Sequence, residues 1–440
     1  MIKTKSFLIV GLAVVMAAVT SCKEANLFDE EDYNRYVDTV FPVENIDSQQ
    51  SWSTTYKYPF RIGIEYDGAF TLKFYSDNPS NVSSRLLNTC YVDGNMTHDI
   101  RVEAPLVADK LYVSLIDESG KRRTKEVSVS HTINNVEFSE YTSDDDIISD
   151  ASSSMDIAQT YTFCFEENFP EPGDYDFNDV VMGVTINKSV ENGTNYVSIG
   201  VKLRAVGSGS RLAAAMRLVD ISAANVEGNT YERSGAKYYF FPQYGDQDML
   251  PKFGDKNEFL TMRNSSDLVI PVFNDAHYLI SDGFVMAALP ARNYYNTITD
   301  EEDMRAHYDL TPKSQTFKFA INDPVMFNNF SVSDIDLFIL EEYNGGTFEV
   351  HTLPYKTAEV IKEWAAINPD GTSPYGSNYP WALLIPGEFK YPVEGLTIGM
   401  AKGNTIGGAY LGFSSWARDR YSSRDWYNKP QDSEVVYPLR

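Results

Sequence analysis

The chain is poor in the residues on which enzyme chemistry most often rests. Its five histidines, His98, His131, His277, His307 and His351, are dispersed over 440 residues. None stands in an HExxH or comparable spacing that would place two imidazoles on one zinc ion. There is no GxSxG nucleophile elbow, no phosphate-binding loop and no dinucleotide fingerprint, which removes the motif-borne classes of hydrolase, nucleotide enzyme and nicotinamide enzyme. Three cysteines are too few for a disulfide scaffold. Positive charge is scarce as well: 37 Lys and Arg stand against 62 Asp and Glu, a net charge of −25 spread along the whole chain. With no basic patch, nucleic acid and anionic membrane surfaces are disfavoured as partners, while solubility and cations are favoured.

What is present points to strands. Aromatic residues make up 13% of the chain, with 29 Tyr and 25 Phe, and 27 Gly and 20 Pro supply turns. Few long helical periods occur, so the expected fold class is mostly β. At the N-terminus Lys3 and Lys5 precede an apolar run from Phe7 to Val19 that is too short to span a bilayer comfortably. A basic flank, an apolar middle and small residues form the layout of a secretory signal, which is not part of the fold. Its end, Val19-Thr20-Ser21-Cys22, resembles a bacterial lipobox, in which the cysteine becomes the lipidated first residue of the mature protein. Residues 1–22 are thus expected to be a lipoprotein signal peptide and Cys22 the lipidation site.

Residues 23–52 are polar and acidic, with no apolar stripe long enough to fold alone, and read as a tether. Early acidic residues after a lipidated cysteine are similar to the surface-export signals of some Gram-negative lipoproteins. Residues 53–138 alternate apolar and polar positions in short runs, among them PFRIGIEY, AFTLKFYS, LLNTCYVD, KLYVSLID and EVSVSH. Turn signals at Tyr66 to Gly68, Asp77 to Pro79, Asp93 to Asn95 and Glu118 to Gly120 separate them, and the spacing predicts a small immunoglobulin-like β-sandwich. Residues 139–156, rich in Ser and Asp, predict a linker. Residues 157–440 then form a larger β-rich, sandwich or jelly-roll-like domain. Thr299 followed by Glu302 fits a capping box opening a short helix through His307. TAEVIKEWAAI puts Val360, Ile361, Trp364 and Ile367 on one helical face, and Arg211 to Val226 could pass for a helix.

The stretch with the most chemistry is EPGDYDFNDVVMGVTI, Glu171 to Ile186. Asp174, Asp176, Asn178 and Asp179 gather hard oxygen donors within a few residues, just before the strand-like alternation of Val180, Met182, Val184 and Ile186. Calcium, which accepts six to eight oxygens in flexible geometry, is the natural guest. An EF-hand is excluded, because the sixth and twelfth loop positions are Asp179 and Thr185 instead of Gly and Glu. The alternative is an Asx-rich turn whose side chains bond their own backbone.

Four segments in order, FEENFPEPGDYDFNDVVM, VIPVFN, PWALLIPGEFKYPVEG and SSWARDRYSSRDWY, resemble the LruC-domain family of bacterial surface lipoproteins. The resemblance covers about residues 159–430 and implies a large β-rich secreted domain of undetermined activity. It places the family's acidic pair on Glu166 and Glu167 and its acidic loop on Asp174, Asp176, Asn178 and Asp179. The chain departs from it between Gly207 and Asn229.

The functional expectation is a non-catalytic, lipid-anchored outer-membrane protein, surface or periplasm-facing, stabilised by calcium and serving adhesion, surface assembly or ligand binding. A glycan or protein would be its ligand. The alternatives are a glycan-active hydrolase and a structural subunit of a surface appendage. Trp381, Phe389, Tyr391, Trp416, Trp426 and Tyr427 fit either sugar stacking or a core. Cys90 and Cys164 fall in different expected domains and are read as buried single thiols.

Overall fold

The computed structural model describes residues 43, 45–139, 156–167, 173–226, 231–235, 266–281, 294–343, 346–352, 380–399 and 408–438. As the composition requires, the protein is mostly β. Seven strands build the small domain: β1 (Thr55–Ile64), β2 (Ala69–Tyr75), β3 (Leu86–Asp93), β4 (Met96–Pro105), β5 (Lys110–Asp117), β6 (Arg122–Ser128) and β7 (Asn134–Phe138). They form two sheets, β4-β1-β7 and β3-β2-β5-β6, packed around one apolar cluster that includes Tyr58, Phe60, Ile62, Leu72, Phe74 and Val113. The period-two burial of Tyr58, Phe60, Ile62 and Ile64 along β1 fixes which face looks inward. The Asp117 carboxylate accepts the N–H groups of Ser119 and Lys121 and so closes the β5–β6 turn.

The large domain contains β8 (Thr160–Phe165), β9 (Val180–Glu191), β10 (Thr194–Ala205), β11 (Leu212–Ser222), β12 (Glu232–Gly235), β13 (Asp267–Phe273), β14 (Tyr294–Tyr295), β15 (His307–Tyr308), β16 (Lys313–Ala320), β17 (Ile335–Tyr343), β18 (Gly346–Val350) and β19 (Ala382–Pro386). A six-stranded sheet, β12-β16-β10-β9-β8-β19, and a four-stranded sheet, β13-β11-β17-β18, contribute to one large apolar cluster. The β9–β10 hairpin turns on Asn192 and Gly193, both with positive φ, as a two-residue turn matching strand twist demands. Short helices α1 (Ala276–Ile280), α2 (Pro324–Asn329) and α3 (Leu411–Arg418) lie among the strands. The aromatics Trp381, Phe389, Tyr391, Trp416, Trp426 and Tyr427 are all buried in the core.

Two helical expectations are corrected. The run from Arg211 is the strand β11, paired on both sides with β13 and β17. Its alanines are good helix formers in isolation. Here Ala214 joins the main core while Ala213 and Ala215 pack with Val269, Phe338 and Leu340 on the opposite face, so burial of both faces overrides local propensity. Around Thr299 no helix forms. Asp300 and Asp303 instead take the N–H groups of Glu302 and Arg305 in local side-chain turns, and His307 enters β15. The helix expected around Val360 and the Ser/Asp-rich linker, apart from Ser139 and Asp156 at its two ends, lie outside the described residues.

The end of the expected tether is built into the large domain. Trp52 is fully buried, stacked on Phe413 and edge-on to Trp416. Asp47 N–H donates to Ala417 O, and Trp52 O accepts the Leu384 N–H beside β19. The domains also meet at α2, whose start is fixed by Pro324 and by the Asp323 carboxylate capping Val325 and Met326. From its far end Asn328 bonds both backbone groups of Tyr91 on the edge strand β3, and Asn329 Oδ1 accepts the Arg101 N–H of β4. The helix thereby covers two exposed edges of the small domain.

Candidate metal centre

The β8–β9 pairing ends with Phe165 opposite Val180. Glu166 and Glu167 therefore leave β8 where Asp179 enters β9. The ladder is extended by a side chain, since Asp179 Oδ2 accepts the Glu167 N–H at 2.6 Å. Glu166 turns back under the acidic loop, and its carboxylate accepts the N–H groups of Tyr175 at 3.2 Å and Phe177 at 2.6 Å. Both aromatic residues are fully buried and adopt left-handed φ values of 60° and 56°. Such backbone costs about 1–2 kcal/mol per bulky residue. Two in three positions mark a loop held in shape by its surroundings.

The loop directs its acids inward. Asp176, 1% exposed, accepts the N–H of Asn178 through Oδ1 and that of Gly395 through Oδ2. Oxygen atoms of Glu166, Asp174 and Asp176 all lie within 4.8 Å of one another. Two ligands of a calcium ion, each about 2.3–2.6 Å from it, stand at most about 5 Å apart, so this spacing fits one ion. Around the trio sit Glu167, which accepts from Ser208 Oγ at 2.5 Å, and Glu394, which pairs with Arg305 at 3.0 Å. The Ser208 carbonyl in turn meets His277 Nε2 at 2.7 Å.

Electrostatics without a cation are unfavourable throughout. Burial pushes Glu166, Asp176 and Asp179 well above the usual carboxylate range, and repulsion from neighbouring acids adds to it: from Asp174 on Glu166 and Asp176, and from Glu167 on Asp179. Glu167 and Asp174 are raised by burial as well. Glu394 is pushed up to about 9 by burial and then by Asp174, with Arg305 pulling the other way. Six carboxylates in one desolvated place either keep protons or share cations.

The structure thus brings together every residue expected around the acidic loop, with Glu166, Asp174 and Asp176 in mutual reach and Glu167, Asn178 and Asp179 flanking them. Cys22 lies outside the described residues. Sequence reasoning missed Glu394, Arg305 and Ser208, which arrive from loops far along the chain. The one available signal was that Glu394 and Gly395 close the segment PWALLIPGEFKYPVEG. The two thiols are free and buried, each with its pKa raised by that burial. A cleft lined by Lys57, Arg61, Arg101, Asp220 and Val325 between the domains includes none of the clustered acids.

Fold and site define a two-sandwich β protein with a carboxylate-rich centre in its larger half. The family described as Domain of unknown function (DUF4842) matches residues 192–427, more than half of the chain. The chain belongs to that family. Among solved structures it is similar to a protein from Bacteroides ovatus assigned as a lipoprotein, with a TM-score of 0.53 and 16% sequence identity, over 84% of this chain and 98% of the other. At that identity the likeness concerns the fold. A search of curated proteins finds no match.

Proposed function

We propose that the protein is a non-catalytic, lipid-anchored component of the outer membrane whose large domain is stabilised by calcium and which serves adhesion, surface assembly or capture of a glycan or protein ligand. The observation that carries the calcium reading is the mutual spacing of Glu166, Asp174 and Asp176, with Glu167, Asn178 and Asp179 beside them. The anchor reading is supported by the Val19-Thr20-Ser21-Cys22 end of the apolar leader and by the lipoprotein designation of the similar Bacteroides ovatus structure. The four segments that resemble LruC-domain proteins point the same way. No helix among the described residues is long and apolar enough to cross a membrane, so a lipid at Cys22 would supply the attachment.

The cation would neutralise acids that β8, the loop and the Glu394 segment press together, and so couple folding to metal. Extracellular calcium modules bind at about 0.1–1 mM, so 1 mM calcium stabilises the domain by roughly 0.4–1.4 kcal/mol through mass action. The expected rise in melting temperature is about one to four degrees for a domain of this size. Magnesium is expected to do less, because it demands small octahedral geometry and gives up water reluctantly. Calorimetry and thermal melts in calcium and in chelator test this. Asp176→Ala with Asp179→Ala should abolish the response. Equal melts for the unaltered chain together with no binding heat would sink the reading.

A further inference from the structure

Two buried oxygens near the trio make no well-formed hydrogen bond. Asn178 is fully buried, and its Nδ2 donates to Pro392 O at 3.2 Å, which fixes the amide so that Oδ1 faces away from that carbonyl. Oδ1 itself has no hydrogen-bond partner. Glu394, with a side chain 7% exposed, gives Oε1 to Arg305 and leaves Oε2 buried without a well-formed hydrogen bond, the Thr297 hydroxyl close by being itself unpaired. These oxygens share one space: a carbon built on Gly207 would stand 1.8 Å from Asn178 Oδ1 and 2.8 Å from Glu394 Oε2. Each orphaned buried polar group costs about 1–3 kcal/mol, more when charged, and two facing acceptors also repel. A cation between them reverses the sign of both effects.

One ion does not satisfy the whole cluster. Glu394 is not among the carboxylates that meet the single-ion spacing with Glu166 and Asp174 and Asp176. Charge leads to the same place. Arg305 pairs with Glu394 but also, more closely, with Asp303 outside the cluster, so it offsets little of the charge of the six carboxylates; one divalent ion leaves about four negative charges and two leave about two. Paired metal sites of this kind are built by carboxylates lying between two ions.

We propose that Asn178 Oδ1 and Glu394 Oε2 hold a second calcium ion beside the first, making the centre a two-cation site that fastens the Pro392–Gly395 segment to the start of β9. This deepens the calcium reading and rests on it. The ion ties together chain segments that share no strand pairing, so it acts as a clasp between the rim of the six-stranded sheet and the loop before α3.

The test counts ions. The full-length chain in detergent is dialysed against millimolar calcium, and bound metal is measured by elemental analysis alongside calorimetry. The expected result is two calcium ions per chain, falling to one in Glu394→Gln and in Gly207→Ala, whose added methyl group occupies the shared space. One ion in the unaltered chain overturns the second site and leaves the first standing. None overturns both. Two ions retained in both variants would remove Asn178 and Glu394 from the assignment. The count on the unaltered chain decides the matter even if a variant fails to fold.

Discussion

Removing calcium should invert the usual pH dependence of stability in mildly acidic solution. Glu394 has an ordinary pKa of 4.5, and in the fold burial and then Asp174 raise it to about 9. A carboxyl raised in the folded state binds its proton more tightly folded than unfolded. Its contribution is fully present below pH 4.5 and is lost as the pH climbs toward 9. Each pH unit in that window is worth about 1.4 kcal/mol per proton, so Glu394 alone should cost the chelated protein roughly 2 kcal/mol between pH 5 and pH 6.5, and the other raised acids of the centre, Glu166, Glu167, Asp174, Asp176 and Asp179, act in the same direction. At about 2–4 degrees per kcal/mol the melting temperature falls by at least roughly five degrees. Two other groups bear on the choice of range. His351, held between Asp336 and Glu349 and raised to about 9, loses its stabilisation only above its ordinary 6.5. The lowered acids, among them Asp77, Asp117 and Glu191, matter only as the pH falls below their ordinary range. The assay is a series of melts at pH 5 to 6.5 in chelator and in calcium. In calcium the ion replaces the protons at the centre, so most of the fall should disappear, leaving the part due to Glu103, which burial raises away from the centre, and Glu394→Gln should make the chelated curve shallower by about 2 kcal/mol over that range. A chelated protein whose melting temperature is level or rises over that range refutes the reasoning.

Other outcomes follow from contacts described above. Trp52→Ala removes a fully buried ring from Phe413 and Trp416, which should cost about 3–5 kcal/mol and lower the large domain's melting temperature by roughly ten degrees. A loss under 1 kcal/mol in denaturant titration would mean that the segment before β1 is not part of that core. Cys22→Ser should release the protein from the membrane fraction or leave it unprocessed, and retention there at processed size would refute lipidation.

Strands were legible where apolar and polar residues alternate and a turn residue stands at each end, as in β2, β3 and β5. The strand β7 escaped because Asn134, Val136 and Phe138 are too short a run to stand out, and β4 because Met96 to Asp99 is exposed or half-buried before the buried part begins. In β11 local propensity misled, because alanine records nothing of the two faces that bury it. The acidic loop announced itself by density. Glu394 did not, since its role depends on Pro392 and Gly395 meeting Asn178 and Asp176 across the fold, and no local pattern encodes that meeting. Even within the loop, the sequence named the oxygens without telling which of them face one another.

The embedding of Trp52 changes how the molecule would carry a pull. A chain tugged at its N-terminus does not strain the small domain first, although that domain comes first in the sequence. Tension entering at Asn45 reaches the Asp47–Ala417 bond, then Gln50 on the Trp416 carbonyl, then the Trp52 ring and the backbone bonds to Leu384. All of these belong to the large domain. Between the N-terminal end and anything gripping the large domain, the small sandwich, docked on α2, lies to one side of the loaded path, folded and unloaded, until Trp52 is drawn from its pocket.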